Sequence, residues 1–248
     1  MVKVIDVSKH NGAIDFNKVK AYGISGVIIR AGYGKVISQK DSMFEAYYTN
    51  AKKAGLNVGA YWYSYAKSAL EAKAEAIVFL EVIKGKSFEL PLYYDIEEES
   101  QVALGKTICS SMIDTFCSEI ENAGCFAGLY SFDSFFSSNV SPYVQSKYSC
   151  WVARVENVKP TYCKTYAMHQ YTWKGKVDGV SGDADISYCY SDFPTIIRNA
   201  GLNGFGKKEI LYSVTARMAS LTKTKADEIA ESCIKLGMTT VISEMQNT

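Results

Sequence analysis

Histidine is nearly absent from this chain: His10 and His169 are the only two in 248 residues. They fall in well-separated strand patterns, so no histidine-based ligand set arises from sequence neighbours, and neither metal nor cofactor is expected. Seven cysteines occur (Cys109, Cys117, Cys125, Cys150, Cys163, Cys189 and Cys233), none spaced as C-x-x-C or grouped with histidine. An odd, scattered set of this kind reads as reduced, small apolar side chains. An excess of one charge is also missing. Lys plus Arg number 27 and Asp plus Glu 26, which leaves no basic field for nucleic acid. No apolar run reaches the roughly 18 residues a membrane span requires, so membrane insertion is not expected. No complete phosphate loop (G-x-x-x-x-G-K followed by Ser or Thr) and no G-x-G-x-x-G fingerprint is present. Met1-Val2-Lys3-Val4-Ile5-Asp6 reads directly as strand, and the expectation is synthesis in a cytoplasm without a signal peptide.

What the chain has in quantity is tyrosine, 18 in all. Its flat face and hydroxyl suit sugar surfaces, although many of these rings must be core. The rest of the sequence is organised around Leu90-Pro91-Leu92-Tyr93-Tyr94-Asp95-Ile96-Glu97. Pro91 near the start and the β-favouring Tyr93, Tyr94 and Ile96 make this a strand. On a strand Asp95 and Glu97 share a face, roughly 6.5–7 Å apart along the backbone. Neighbouring carboxylates oppose each other's ionisation, so the pair suits an acid kept protonated near neutral pH beside a partner that stays ionised. Glu97-Glu98-Glu99 as a triple reads as the solvated start of a loop.

Strand and helix patterns alternate on either side of that stretch. Val2–Val7, Gly26–Ala31, Asn57–Tyr65 and Phe126–Ser131 read as strands. Helical spacing marks Phe16–Tyr22, Met43–Ala54, Leu70–Ile83 and Ile108–Ala123, with Gly55, Gly85 and Gly124 as stops. Two junctions look alike, Lys53-Ala54-Gly55-Leu56-Asn57-Val58-Gly59-Ala60-Tyr61 and Asn122-Ala123-Gly124-Cys125-Phe126-Ala127-Gly128-Leu129-Tyr130. Successive βα units imply a parallel sheet, and at this length a barrel is the economical closure. Tyr148–Val155, Thr165–Thr172 and Lys176–Ile186 follow as strands with short links. The expected fold is therefore α/β, an irregular TIM-like β/α barrel with helices mainly around its first part.

Barrel chemistry sits at the C-terminal strand ends. Those ends bring together Asp6, Arg30, Tyr61 with Tyr63, Asp95 with Glu97, Tyr130, Trp151, Gln170 and Asp185. Four carboxylates among aromatics, without a metal or phosphate loop, is the chemistry of glycoside cleavage. Taken singly, Asp6 reads equally as a cap of the turn through Ser8 and Asn11, Trp151 equally as barrel core, and Arg30 as an orienting ion-pair partner. His10 and His169 read as structural.

The motifs Ile5-Asp6-Val7-Ser8-Lys9-His10-Asn11-Gly12, Ile29-Arg30-Ala31-Gly32-Tyr33-Gly34, Gly59-Ala60-Tyr61, Tyr94-Asp95-Ile96-Glu97, Trp151-Val152-Ala153-Arg154, Gln170-Tyr171 and Ala184-Asp185-Ile186-Ser187 occur in that order over residues 1–198. In combination they resemble the glycoside hydrolase family 25 muramidases, the lysozymes of phage-endolysin and bacterial-autolysin type. The resemblance implies cleavage of the β-1,4 bond between N-acetylmuramic acid and N-acetylglucosamine in bacterial peptidoglycan, on the cell wall and after release from a bacterial host cytoplasm. It implies that Glu97 is the proton donor, Asp95 its acidic neighbour, and Asp6 and Asp185 (not Asp183) the flanking carboxylates. Arg30, Tyr33, Tyr61, Tyr63, Tyr130, Trp151 and Gln170 become candidate substrate contacts. Two departures, Trp62 for a usual His and Ser187 for a usual Asn, are expected to alter substrate contacts. A chitinase-like glycosidase and a non-catalytic wall-binding module remain as alternatives.

After Arg198 the chain passes Gly201, Gly204 and Gly206, so 199–208 reads as a linker. Ile210–Ala216, Lys223–Gly237 and Met238–Ser243 then read as strand, helix and strand, similar to half of a SPOR-type peptidoglycan-binding domain. Ala226, Ile229, Ala230, Cys233 and Ile234 give the helix one apolar face. A lone βαβ unit buries too little surface to stand by itself, so residues 209–248 are expected to form a homo-oligomer, at least a dimer, or to bind cell wall.

Overall fold

A computed structural model describes residues 1–155, 158–206 and 222–235 of the chain. The chain divides into two compact units, Met1–Lys208 and Glu209–Thr248. The larger is an α/β barrel. Its strands are β1 (Val2–Val7), β2 (Gly26–Tyr33), β3 (Asn57–Tyr63), β4 (Leu92–Asp95), β5 (Ala127–Phe132), β6 (Ser149–Ala153), β7 (Met168–Gly175) and β8 (Ala184–Cys189), closed in that order. The helices of this unit are α1 (Phe16–Ala21), α2 (Phe44–Lys53), α3 (Ala69–Ile83), α4 (Glu99–Val102), α5 (Gly105–Asn122), α6 (Asp133–Asn139), α7 (Pro142–Lys147) and α8 (Phe193–Ala200). Helix α9 (Lys223–Lys235) belongs to the smaller unit.

The pleat decides what each strand residue does, since alternate side chains point to opposite faces. Along β1, Ile5 and Val7 join the outer core between strands and helices, whereas Val4 belongs to the inner cluster. The same alternation puts Tyr94 outward, stacked at 4.1 Å on Phe116 of α5, and Tyr93 inward against Trp151 at 5.1 Å. Gly128 on β5 leaves room for the Tyr93 ring, because a Cβ there would collide with it. Phe193 and Ile197 of α8 complete the inner cluster with Val4, Ile28 and Leu90. The barrel is thus a filled core below and an open mouth above.

Strands β1 to β7 run parallel, but β8 is antiparallel to both β7 and β1. The strand expected over 176–186 therefore lies later, at Ala184–Cys189. Asp185 stands at the start of a reversed strand and not at the C-terminal end of a parallel one. The reversal still delivers it to the same mouth, directly paired with Asp6. Helices α6 and α7, between β5 and β6, are only 7 and 6 residues long, so their periodicity is too brief to read in advance.

The described part of 199–208 is not a linker. Helix α8 continues to Ala200, and Gly201 ends it in the left-handed region at φ 67°. Asn203, 1% exposed, then fastens this segment to the barrel. Its amide nitrogen donates to the carbonyls of Phe88 (3.1 Å) and Leu90 (3.0 Å), and its Oδ1 accepts from the Phe126 N–H (2.7 Å). The glycines there mark tight turns against the barrel floor. Helix α9 covers the expected helical stretch and buries none of its residues. The expected strands at 210–216 and 238–243 lie outside the described residues.

Candidate active site

The inward residues at the mouth form a cavity of about 220 Å³ lined by Asp6, Arg30, Tyr61, Tyr63, Asp95, Glu97, Tyr130, Trp151 and Asp185. Gln170 connects to it. Its side-chain nitrogen donates to Asp6 Oδ2 at 2.8 Å, and its oxygen accepts from Tyr130 Oη at 2.8 Å. The Asp6 side chain therefore does not cap the turn beyond it, where Ser8 and Asn11 bond each other instead. Tyr33 stands at the rim, in edge contact with Tyr65, which in turn contacts Tyr63. A larger cavity, about 370 Å³, opens at the opposite end of the barrel around Met1, Lys20, Asn57 and Tyr190 and contains none of these residues.

Burial governs the carboxylates. Strand β4 ends at Asp95, so Glu97 lies just past it, yet both line the cavity. Glu97 is raised from an ordinary 4.5 to about 7, first by burial and then by the charges of Glu98 and Asp185. Asp185 rises to about 6, again mainly by burial, against a hydrogen bond with Asp6 that lowers it. Burial also pushes Asp6 and Asp95 well above the usual carboxylate range, with Asp185 the next cause for Asp6 and Glu97 the next for Asp95. Like charges on β1, β4 and β8 thus share few negative charges at neutral pH. The sequence pattern pointed to neighbouring charge as the cause, but desolvation is larger.

Arg30 pairs through Nε with Asp41 Oδ2 at 2.8 Å, not with a carboxylate of the cavity. Its Nη2 and Asp95 Oδ1 are both buried without a hydrogen-bond partner among the described residues. One unsatisfied donor and one unsatisfied acceptor thus lie in two residues of the cavity wall.

Neither departure from the resembled pattern faces the cavity directly, and Ser187 acts on it through Trp151. Trp62 is fully buried on the outer face, stacked on Phe79 and donating to the Gly34 carbonyl at 2.9 Å. Ser187, also fully buried, accepts from Trp151 Nε1 at 2.9 Å and so fixes the indole at the cavity wall. Trp151 is therefore core and wall at once. His10 is exposed, and His169 faces outward with its Nε2 at 2.7 Å from the Arg154 carbonyl.

Sequence reasoning missed three residues. Asp41, 2% exposed, holds Arg30 and also accepts from the backbone N–H groups of Lys9 (3.1 Å) and Met43 (2.9 Å). Its place just before an apolar helix was the available signal. Glu98 does not extend freely into solvent: its Oε1 accepts from Tyr63 Oη at 2.6 Å, and its N–H donates to Gln101. Trp173 on β7 donates its indole N–H to Gln170 Oε1 at 2.9 Å.

This geometry coincides with a family match. The model of glycosyl hydrolases family 25 matches residues 5–180. The chain belongs to this family. It is 33% identical over 187 residues to the autolytic lysozyme of Clostridium acetobutylicum, covering 75% of this chain and 55% of that protein. It is 30% identical over 197 residues to lysozyme M1 of Streptomyces globisporus, covering 74% of this chain and 66% of that one. The chain thus spans between about half and two thirds of these relatives. The bacterial lysozyme from Streptomyces coelicolor superposes with a TM-score of 0.65 at 28% identity, over 82% of this chain and 96% of that one.

Proposed function

We propose that this family 25 chain is a muramidase, hydrolysing the β-1,4 bond between N-acetylmuramic acid and N-acetylglucosamine in bacterial peptidoglycan, and that it serves as a phage endolysin. The observation that carries this reading is Glu97, a carboxyl group raised to about 7 among three further carboxylates in one open cavity. An acid with that pKa is still half protonated at neutral pH and can protonate the leaving glycosidic oxygen. Asp95 and Glu97 stem from one strand end, so Asp95 is poorly placed to act across the ring as a separate nucleophile. Asp95 lines the cavity and can accept from an acetamide N–H, and the acetamide oxygen then attacks the anomeric carbon as the protonated leaving oxygen departs, with net retention once water opens the intermediate. Asp6 and Asp185 hold the opposite wall, with Gln170 orienting Asp6.

Digestion of purified peptidoglycan followed by mass spectrometry tests the bond: new reducing ends on muramic acid support the reading. Reducing N-acetylglucosamine ends or cleavage of chitin oligomers would favour the chitinase-like alternative, and no product would favour a binding module. Residues 209–248 are proposed to assemble the chain into at least a dimer, or to hold it on the wall, which raises avidity without new chemistry. The unburied α9, with Ala226, Ile229, Ala230, Cys233 and Ile234 along one side, supports this. Light scattering on the full chain and on one ending at Gly206 decides it, since two monomers would end the pairing idea.

A further inference from the structure

Among the three tryptophans, Trp62 and Trp151 are buried at 0% and 2% exposure, whereas Trp173 is 45% exposed. Its polar atom is nevertheless satisfied inside the protein, by Gln170 Oε1. Three residues apart on a regular strand, Gln170 and Trp173 would face opposite ways. The β7–β8 register shifts twice here, between Gln170 and Thr172 and again between Thr172 and Gly175. Such irregularities re-aim side chains beside active sites, and this one brings the indole back to the face that Gln170 occupies.

The anchor is also part of the site. Gln170 Oε1 receives both Tyr130 Oη and Trp173 Nε1, which uses its two lone pairs and fixes the amide so that its nitrogen faces Asp6. The ring therefore sits two hydrogen bonds from a cavity carboxylate, pinned at its edge and still substantially open to solvent. Across the closed barrel, β7 lies four strands from β3. Tyr63 of β3 and the neighbouring Tyr33 and Tyr65 form an aromatic cluster on that opposite rim. A glycan chain crossing the mouth from one rim to the other passes over the carboxylates and meets aromatic surface at both ends.

We propose that Trp173 forms an aromatic sugar-binding subsite at the β7–β8 edge of the cleft, stacking on a hexosamine ring beyond the pair that flanks the scissile bond. This rests on the muramidase reading. The apolar C–H face of a pyranose covers the exposed indole face, while the fixed N–H bond removes the entropic cost of ordering the ring on binding.

The test uses the full chain carrying Glu97→Gln, so that substrate is bound and not consumed. The probes are a disaccharide and a hexasaccharide of alternating N-acetylglucosamine and N-acetylmuramic acid. Binding is followed by calorimetry and by iodide quenching of tryptophan fluorescence. The hexasaccharide is expected to shield the exposed indole from iodide. Adding Trp173→Ala is expected to weaken hexasaccharide binding about tenfold and leave the disaccharide unchanged, while Trp173→Phe, which keeps a flat ring, loses less. Equal hexasaccharide affinity in the Trp173→Ala protein, or an indole that iodide still reaches in the complex, overturns the subsite and leaves the reaction assignment standing. No binding of either saccharide to the Glu97→Gln protein overturns the muramidase reading and the subsite with it.

Discussion

Glu98→Gln isolates one charge that sets the acidity of Glu97. The replacement is nearly isosteric, and its side-chain oxygen can still accept from Tyr63 while Gln101 keeps the backbone N–H. Removing a negative neighbour favours the ionised form of Glu97, so its pKa falls. The rise from 4.5 to about 7 has burial as its largest cause and Glu98 as the next. Glu98 thus accounts for less than half of it, and the substitution should lower the pKa by about 0.5–1. A general acid must be protonated to act, so the alkaline limb of kcat/KM moves to lower pH by that amount. At pH 7 the protonated fraction drops about two- to fivefold, while at pH 5 activity hardly changes. The assay is clearing of purified cell walls at initial rate between pH 4.5 and 9. A limb that stays in place, or moves upward, refutes the assignment of that pKa to Glu97 tuned by Glu98.

Glu97→Gln should retain the fold and reduce turnover by about 10²-fold or more, measured as release of reducing ends from peptidoglycan. The same substitution should stabilise the protein at pH 8. A carboxyl raised from 4.5 to about 7 in the folded chain binds more protons than in the unfolded chain, so its burial favours folding below pH 4.5 and costs increasingly as pH climbs to 7, by about 1–3 kcal/mol. Melting temperature of the native chain should accordingly fall between pH 5 and pH 8, and that of Glu97→Gln should fall less. Asp41→Ala leaves the Arg30 guanidinium and the backbone N–H groups of Lys9 and Met43 without their acceptor, and urea unfolding should show a loss of about 3–5 kcal/mol. Asn203→Ala removes three buried side-chain hydrogen bonds, and about 2–4 kcal/mol of stability should go with them by the same measurement.

The parts of this molecule that were legible beforehand are those where one residue reports on its own neighbourhood. Alternation along Val2–Val7 or Leu92–Asp95 shows which side chains turn inward, and an inward carboxylate at a strand end is visible as such. Strand direction is not local in this sense. Nothing in Ala184-Asp185-Ile186-Ser187 says that the strand runs backwards, because an antiparallel and a parallel strand share the same period. Partners were equally hidden: Tyr63 and Glu98, or Arg30 and Asp41, become neighbours only when loops above the mouth fold. The glycines of 201–206 misled for a related reason. Composition identifies flexible backbone, but whether an Asn203 is present to tie the turn down depends on carbonyls of Phe88 and Leu90 more than a hundred residues away.

The pairing of Asp6 with Asp185 makes the first and last strands of the barrel a clasp. Its two acidic halves are separated by almost the entire catalytic unit, and the Gln170–Asp6 hydrogen bond spans 164 positions. A chain interrupted anywhere before Ala184 leaves the edge of β1 open and holds only part of the acid set. The full acid set is therefore assembled last, when the ring shuts. Fraying at either edge of the clasp would disperse the four carboxylates while the helices packed around β2 to β5 are still in place. The reversal of one strand thus doubles as a completion check on the acid set.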